Sequence, residues 1–282
     1  MIPKMAAASL RFIDIGVNLT DLMFKGIYHG KQAHVDDFTE VLKRASDTGV
    51  QKMMITAGNL SESHNALELA QTKGNNQSYN SALFNKEQLL LIFPDYDRIH
   101  FCPKEVQLKY FEKQFHLAEE TKLPMFLHSR SAHQDFIEII RRNRDRFVGG
   151  VVSPSHQILE SILSLKYELI LPEKRAWGHL VFWEFQFISP KSPLIRSLLE
   201  GVAVWLYAPW CDIRPTHAGF KHVKTKFESR KKEKWQAGQC VKGRNEPANI
   251  VQVLEVVAGC RGEDVQSLAE TVYENTMNLF FR

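Results

Sequence analysis

The sequence predicts a TIM-like (β/α) barrel, a fold in which parallel strands alternate with helices. Residues 123–130 (LPMFLHSR) give the clearest sign, because a short apolar strand there ends in His128 and Arg130. A buried strand that leads directly into polar, metal-competent side chains is typical of the C-terminal rim of such a barrel. Strand-then-helix units also recur along the chain, as expected for a parallel sheet or barrel. The length of 282 residues suits one domain, since a single barrel has about 250 residues.

Composition and charge restrict the classes of function. The chain is 44% hydrophobic and 24% charged, which is ordinary for a soluble globular protein. Its net charge of +4 means that any basic binding surface must be local. No apolar run is long enough to span a membrane, so no membrane partner is expected. The four cysteines are far apart and form no C-x-x-C pair, which predicts reduced thiols and an intracellular location, in the nucleus or cytoplasm.

Residues 1–10 have neither the apolar core of a secretory signal nor the arginines of a transit peptide, which predicts a tail. Hydrophobic periodicity predicts one barrel domain at residues 11–282. Apolar, β-branched stretches predict strands at residues 11–19, 51–57, 123–128, 147–152, 167–171 and 202–208. Helical spacing of apolar side chains predicts helices at residues 36–48, 61–69, 103–122, 131–144, 157–165, 189–200, 249–258 and 264–281. Ser61 or Ser63 is the expected cap of the second of these helices.

Two stretches break the pattern. Residues 71–85 are polar and show no clear period, so one strand-helix unit is predicted to be lost or damaged around residues 71–86. Residues 86–93 fit either a strand or the end of a helix. Residues 177–188 are unusually aromatic and fit neither period well, although a pair of strands is one interpretation.

The first predicted strand carries two polar residues. Asp14 and Asn18 lie on the same face under the period-2 rule. Both are therefore candidate linings of the barrel mouth.

A basic run at residues 221–234 is a candidate nucleic-acid contact. Lysine and arginine can follow a phosphate backbone, and the nearby Phe227 and Trp235 could stack on bases. In a protein of low net charge such a run is more often a solvated loop, and a nuclear localisation patch is another interpretation. The candidate contacts are Lys224, Lys226, Arg230, Lys231, Lys232 and Lys234.

Several longer stretches carry a resemblance to a known family. They run in order from residue 11 to the C-terminus: FIDIGVNLTD, MITAGNL, FCPKEVQLKYFEKQF, LPMFLHSR, RNRDRFVGGVV, APWC, THAG and RNEP. Together they resemble the TatD family of metal-dependent deoxyribonucleases, especially its eukaryotic branch. The resemblance implies a TIM-like barrel of the metal-dependent hydrolase type, hydrolysis of DNA phosphodiester bonds, and a divalent, magnesium-like metal as cofactor.

When the family's metal-ligand positions are carried over to this sequence residue by residue, most of them hold a different residue. Of four ligand positions that the resemblance implies, only His128 keeps its family residue. Leu91 stands in the place of a glutamate, Ser153 in that of a histidine and Tyr207 in that of an aspartate. Leucine has no lone pair, and a phenol with a pKa of about 10 stays protonated at neutral pH. His156, three residues after Ser153, is a candidate substitute ligand.

Two other positions near the implied site are candidate lining residues. Asp95 keeps the aspartate of the family's G-E-x-G-L-D run, and Arg130 follows the retained histidine. Arg130 could hold a phosphate through two hydrogen bonds, or could pair with a helix carboxylate such as Asp135. The family's G-x-H-P strand, expected before Leu90, has no counterpart here, which fits the loss of a unit around residues 71–86.

Two functions remain open from the sequence. One is a TatD-type deoxyribonuclease, for which DNA is the partner that the resemblance implies. The other is a catalytically inactive paralogue, which is a binding or vestigial protein. Because three of four metal ligands are replaced, hydrolysis is expected to be weak or absent, and no residue is assigned as catalytic.

Overall fold

The computed structural model describes residues 10–57, 60–74, 90–92, 94–123, 125–127, 129–146, 151–152, 180–181 and 208–281. The chain divides into two compact units. The first comprises Met1–Gln88, Phe185–Leu199 and Ala203–Glu274, and the second comprises Leu89–Glu184, Glu200–Val202 and Asn275–Arg282.

Between residues 38 and 152 the described part of the chain alternates helices and strands. Its strands are β1 (Phe12–Val17), β2 (Ile27–Tyr28), β3 (Lys31–Gln32), β4 (Val50–Ile55), β5 (Leu90–Ile92), β6 (Met125–Leu127), β7 (Val151–Val152), β8 (Leu180–Val181), β9 (Ser229–Arg230) and β10 (Cys240–Val241). Its helices are α1 (Phe38–Thr48), α2 (Leu60–Gly74), α3 (Lys104–Thr121), α4 (His133–Asn143), α5 (Ile250–Arg261) and α6 (Val265–Phe280). None of these helices is both long enough and apolar enough to cross a membrane.

The first unit is built on a strand-helix-strand arrangement. Every residue of β1 is buried, and β1 pairs in parallel with β4, which follows α1 in the chain. The buried face of α1 includes Val41, Leu42 and Ala45. The helix ends at Gly49, which has a left-handed backbone (φ 101°). A side chain there would also clash with the backbone oxygen of Leu10, so this helix end requires glycine.

Shorter pairings and a core helix complete the first unit. β2 and β3 form an antiparallel hairpin, and β9 pairs in parallel with β10. Helix α5 has eight buried residues out of twelve, which is typical of a helix inside a core. Glu255 is the one charged residue among those eight.

The second unit contains a four-stranded parallel sheet in the order β5-β6-β7-β8. Helices α3 and α4 form its core together with β6. The ring of Phe111 on α3 stacks on that of Phe136 on α4, with centroids 5.0 Å apart. Met125 and Leu127 of β6 are fully buried in the same cluster. The unit is therefore held by apolar packing of helices against one strand of the sheet.

Most predicted elements in the described ranges are confirmed. A described strand lies in each of the predicted stretches at residues 11–19, 51–57, 123–128 and 147–152, and residues 86–93 contain β5. The predicted helices at residues 36–48, 103–122, 131–144, 249–258 and 264–281 are α1, α3, α4, α5 and α6. The aromatic stretch at residues 177–188 contains the short strand β8.

The second predicted helix is longer than expected. Helix α2 begins at Leu60, so Ser61 and Ser63 lie inside it and the prediction that either one caps it is wrong. It also continues past residue 69 to Gly74, because glutamine and lysine favour a helix even without an apolar period. The rest of the predicted damaged unit, residues 75–86, lies outside the described residues. So do residues 1–9 of the tail and the elements predicted at residues 157–165, 167–171, 189–200 and 202–207.

Candidate functional site

The ends of β5 and β6 bring two candidate residues together in the second unit. The strands pair in register, Leu91 opposite Phe126 and Ile92 opposite Leu127. The parallel pairing extends beyond both strands to an isolated bridge between Asp95 and Arg130. The backbone N–H of Arg130 donates to the Pro94 oxygen (3.2 Å), and its carbonyl accepts from the N–H of Tyr96 (3.0 Å). Polar side chains after two neighbouring parallel strands thus meet at the same edge of the sheet.

Asp95 is the better fixed of these two side chains. It is only 7% exposed, and its Oδ1 accepts from the N–H of Asp97 at 3.1 Å. The side chain of Gln107 on α3 holds the Asp95 backbone from both sides, accepting from its N–H and donating to its carbonyl. Arg130 Nη1 lies 3.9 Å from Asp95 Oδ2. Asp95 is therefore a preorganised carboxylate at the strand edge.

The Arg130 side chain stays partly accessible to solvent. Its side chain is 45% exposed while it faces Asp95, so it can still bind an anion such as a phosphate. The alternative interpretation, in which Arg130 pairs with Asp135, is wrong. Asp135 is already bound by Lys104 Nζ at 2.7 Å and by the hydroxyl of Tyr96 at 2.6 Å.

The group formed by Tyr96, Lys104 and Asp135 was not found from the sequence. The hydrogen bond from Lys104, followed by that from Tyr96, lowers the pKa of the Asp135 carboxyl. Burial and the same bond to Asp135 raise the pKa of the Tyr96 phenol. Lys104 also lies 4.7 Å from the centroid of the Tyr96 ring. These three side chains fix the start of α3 and α4 beside the Asp95–Arg130 bridge, and no local sequence signal links them.

Asp14 and Asn18 belong to the first unit. Asp14 is fully buried in β1, where its Oδ1 accepts from the N–H of Gly16 at 3.1 Å. Asn18 follows the strand, and its backbone N–H donates to the Ala208 oxygen at 3.0 Å. Its side-chain oxygen accepts from the hydroxyl of Thr20. Asp14 is thus a core carboxylate, and Asn18 lies beside the residue that follows Tyr207.

The residues at the implied ligand positions do not fit a divalent metal. His128, Ser153 and Tyr207, like the candidate substitute His156, lie outside the described residues, and Leu91 lies in β5. Divalent cations need several oxygen or nitrogen donors, usually including anionic ones. A leucine, a neutral hydroxyl and a neutral phenol leave one imidazole as the only strong donor of the set. Within the described ranges, no three His, Cys, Asp or Glu residues are grouped closely enough to hold a metal ion.

The basic run at residues 221–234, called the basic loop below, belongs to the first unit. Its aromatic neighbour Trp235 stacks on His34 with ring centroids 5.2 Å apart. The Trp235 indole N–H also donates to the Gln239 oxygen at 2.8 Å. The Trp235 ring is thus already in contact with the protein, and base stacking by this residue stays a prediction. Phe227 is half-buried.

A buried network of charged side chains in the first unit was also not found from the sequence. Arg244, in the RNEP stretch, donates to both carboxylate oxygens of Asp37 and to Glu246, and all three residues are at most 3% exposed. Arg44 Nε donates to the other Glu246 oxygen at 2.8 Å. In the sequence these residues stand out only as part of the RNEP stretch that matches the family. Their charged partners Asp37 and Arg44 are about two hundred positions away, so no local pattern reveals the network.

Comparison with known proteins decides the family. A model of the family described as TatD related DNase matches residues 94–169. Over its full length the chain is similar to the deoxyribonuclease Tat-D of Schizosaccharomyces pombe, with 35% identity over 96% of each protein. The chain belongs to the TatD family. The TatD resemblance predicted from the sequence is thereby confirmed.

Two further TatD proteins are similar to this chain over nearly its whole length. The 3'-5' ssDNA/RNA exonuclease TatD of Pantoea sp. is 29% identical over 95% of this chain and 98% of its own length. The crystal structure of a TatD family hydrolase from Entamoeba histolytica superposes with a TM-score of 0.78 and 25% identity, covering 97% of this chain and 99% of the other. The predicted fold class, the TIM-like barrel of metal-dependent hydrolases, is confirmed by this likeness.

The length of one TatD alignment bears on the predicted deletion. The alignment with the Schizosaccharomyces pombe protein spans 312 positions, whereas this chain has 282 residues. The relative therefore carries segments that this chain lacks. The predicted loss of a unit around residues 71–86 is one place where such a segment would be missing.

Proposed function

We propose that this chain is a DNA-binding member of the TatD nuclease family in which phosphodiester hydrolysis is absent or strongly reduced. One combination of observations carries the proposal. The chain is 35% identical over nearly its whole length to a named deoxyribonuclease, yet Leu91, Ser153 and Tyr207 stand where the family's ligands are implied.

The chemistry of those three side chains supports the loss of hydrolysis. In the family a divalent metal would polarise the phosphoryl oxygen and activate the attacking water. The side chains present here do not supply its ligands, so no catalytic step through a metal is assigned. Water that is not activated keeps its very high bulk pKa, and almost no hydroxide is then available at neutral pH.

The residues that remain support phosphate binding. Arg130 presents a partly exposed guanidinium at the end of β6, beside the fixed carboxylate of Asp95. A guanidinium can donate two parallel hydrogen bonds to a phosphate without any metal. Asp95 orients Arg130, while the exposed part of the Arg130 side chain contacts the DNA backbone. DNA binding is thus retained although hydrolysis of the phosphodiester bond is lost.

The second candidate is an active TatD-type deoxyribonuclease with substitute ligands. Asp95 favours it, because it is a buried and preorganised carboxylate at the edge where the family's site is expected. His156 would be its partner by position in the sequence. A metal held in this way by Asp95, His128 and His156 would restore part of the donor set.

A magnesium-dependent nuclease assay separates the two candidates. The purified chain is incubated with end-labelled single- and double-stranded DNA, with magnesium or with EDTA. We expect the same absence of cleavage in both conditions, with DNA binding still detectable in EDTA, and no change in His128→Ala. Magnesium-dependent cleavage that His128→Ala abolishes would instead establish the second candidate.

We place the protein inside the cell, in the nucleus or cytoplasm, with DNA as its partner. All four cysteines are free thiols, which supports a reducing compartment. Fractionation of cells that express the tagged chain would test this. Recovery in a secreted or membrane fraction would contradict it.

A further inference from the structure

We propose that the basic loop, residues 221–234, is a preorganised exosite for the phosphate backbone of DNA. This inference extends the proposed function, since it assigns DNA contact to a surface of the first unit that is separate in sequence from the strand ends at Asp95 and Arg130. It rests on three observations: the loop backbone is anchored, its cations form no ion pair with a carboxylate in the described part of the chain, and its apolar side chains are at least half-buried.

The first anchor of the loop is a buried carboxylate. Glu255 on α5 is 6% exposed, and it accepts hydrogen bonds from the backbone N–H groups of Lys224 (2.7 Å) and Thr225 (3.0 Å) and from the Thr225 hydroxyl (2.6 Å). Gln252 donates from the same helix to the Thr225 carbonyl at 3.0 Å. A charged residue inside a core helix is thus used to hold the loop backbone. Hydrogen bonds to a charged acceptor are the stronger kind.

Further anchors lie at the far end of the loop. The β9–β10 pairing is extended by bonds from Cys240 N to Glu228 O (2.9 Å) and from Lys242 N to Arg230 O (2.7 Å). Lys232 Nζ lies 4.7 Å from the centroid of the Tyr28 ring. Together with the stacked Trp235 indole, these contacts tie the loop to both β10 and the β2–β3 hairpin.

The charges of the loop are presented outward. Within the described part of the chain, none of its lysines or arginines forms an ion pair with a carboxylate, and only Glu228 and Glu233 offset them in the loop itself. The chain as a whole has a net charge of +4, so the positive charge is concentrated here. The exposed basic residues are Lys221, Lys224, Lys226, Arg230, Lys231 and Lys234.

Anchoring distinguishes this loop from a merely solvated one. A flexible loop loses conformational entropy when it binds, whereas a loop that is already fixed does not. Alternate residues from Lys224 to Glu228 are exposed while those between them are half-buried, so Lys224 and Lys226 project from the same side. A row of cations on a fixed backbone suits a ligand with regularly spaced negative charges, which describes a nucleic-acid backbone.

The surface chemistry favours DNA over an anionic membrane. Peripheral membrane segments insert tryptophan, phenylalanine or leucine beside their basic residues. Here the large exposed apolar residues among the described positions all lie outside the loop, and Trp235 is stacked on His34. The contact is therefore purely electrostatic. It should carry no sequence preference, because phosphate contacts position a nucleic acid without reading its bases.

The test compares two variants that lose the same charge. Lys226→Gln/Lys231→Gln/Lys234→Gln removes three exposed loop cations. The matched control Lys109→Gln/Lys113→Gln/Arg141→Gln removes three exposed cations of the second unit. Binding of a fluorescein-labelled DNA duplex is measured in EDTA across a salt series, so the result does not depend on catalysis. Thermal unfolding confirms that both variants fold.

For the loop variant we expect the plot of log K against log salt to become shallower by about 2–3 units, near 0.9 per lost phosphate contact, while the control keeps the wild-type slope. An unchanged slope in the loop variant, with the wild-type chain binding DNA, would overturn the exosite and leave the proposed function intact. A wild-type chain that does not bind DNA would overturn both. Binding of phosphatidylserine vesicles without binding of DNA would identify a membrane surface instead and would also overturn the exosite.

Discussion

Arg244 donates two parallel hydrogen bonds to the carboxylate of Asp37, 207 residues earlier in the chain, at 2.8 Å from Nη1 and 2.5 Å from Nη2. Both side chains are at most 1% exposed. Arg244 Nη2 also donates to Glu246, and Nη1 donates to the backbone oxygen of Met23. The first and last thirds of the chain are therefore joined by a buried, hydrogen-bonded ion pair inside the first unit.

Asp37→Asn should destabilise the protein strongly. Removing one partner of a buried ion pair leaves the other charge uncompensated, which costs about 3–5 kcal/mol. The urea midpoint of unfolding should fall accordingly. Asp36→Asn is the matched control, since Asp36 is the exposed neighbour and the amide oxygen of asparagine can still accept from the N–H of Phe38. Equal midpoints for the two variants would show that the Arg244–Asp37 pair contributes little.

Glu255→Gln should release the basic loop. Glutamine keeps one acceptor oxygen but loses the charge and the second oxygen, so the bonds from Lys224 and Thr225 are weakened together. Trypsin should then cut within the loop faster than in the wild type, because proteolysis reports local opening. The affinity of Glu255→Gln for DNA, measured in EDTA, should also be lower than that of the wild type.

Glu274→Gln is the control for that change, since Glu274 is exposed on α6. It should leave both the rate of loop cleavage and the DNA affinity unchanged. If Glu255→Gln behaves like this control, the loop does not depend on its buried carboxylate.

Asp135→Asn should change stability in a pH-dependent way. The pKa of Asp135 is lowered by hydrogen bonds from Lys104 and Tyr96, so ionised Asp135 stabilises the folded state. That contribution is complete above the usual carboxyl pKa of about 3.9, and it is lost as the pH falls through the lowered folded value. The side chains of Lys104 and Asp135 are 47% and 33% exposed. The contribution of Asp135 to the free energy of unfolding should therefore be no more than about 1 kcal/mol.

Urea unfolding of the wild type and of Asp135→Asn at neutral and at strongly acidic pH measures this effect. The difference between the two proteins should be present at neutral pH and should vanish in acid. Asp145→Asn, at a carboxylate that is 92% exposed, should show no such difference. A gap between wild type and Asp135→Asn that widens in acid would contradict the sign of the pKa shift.

Restoring the implied ligands should restore metal binding before it restores catalysis. In Leu91→Glu/Ser153→His/Tyr207→Asp, two carboxylates and two imidazoles become available, which is a donor set suited to a divalent cation. Calorimetry should detect manganese or magnesium binding that the wild type lacks, with DNA cleavage only partly recovered. The double variant that keeps Leu91 should bind metal more weakly. Full nuclease activity in the unaltered chain would make this experiment unnecessary and the proposal wrong.

The strand-end pair was predictable for a clear physical reason. Asp95 and Arg130 follow two consecutive strands, and parallel strands in one sheet place their ends at a common edge. By contrast, Trp235 stands next to lysines in the sequence but stacks on His34 in the fold. The stacking of Trp235 on His34 was not predictable, because neighbours in sequence do not reveal a contact between residues so far apart. The Arg244–Asp37 pair escaped prediction for the same reason.

The division of the chain also orders events during synthesis. Asp37 and Arg44 leave the ribosome early, whereas Arg244 and Glu246 appear only after the whole of the stretch from Leu89 to Glu184, which belongs to the other unit. Bringing Asp37 and Arg244 together also closes a long loop, which costs conformational entropy. For most of its translation a nascent chain must therefore carry Asp37 without its Arg244 partner. The first unit therefore begins before the second but stays incomplete until long after Glu184 has been made, and in that interval the chain is most exposed to aggregation.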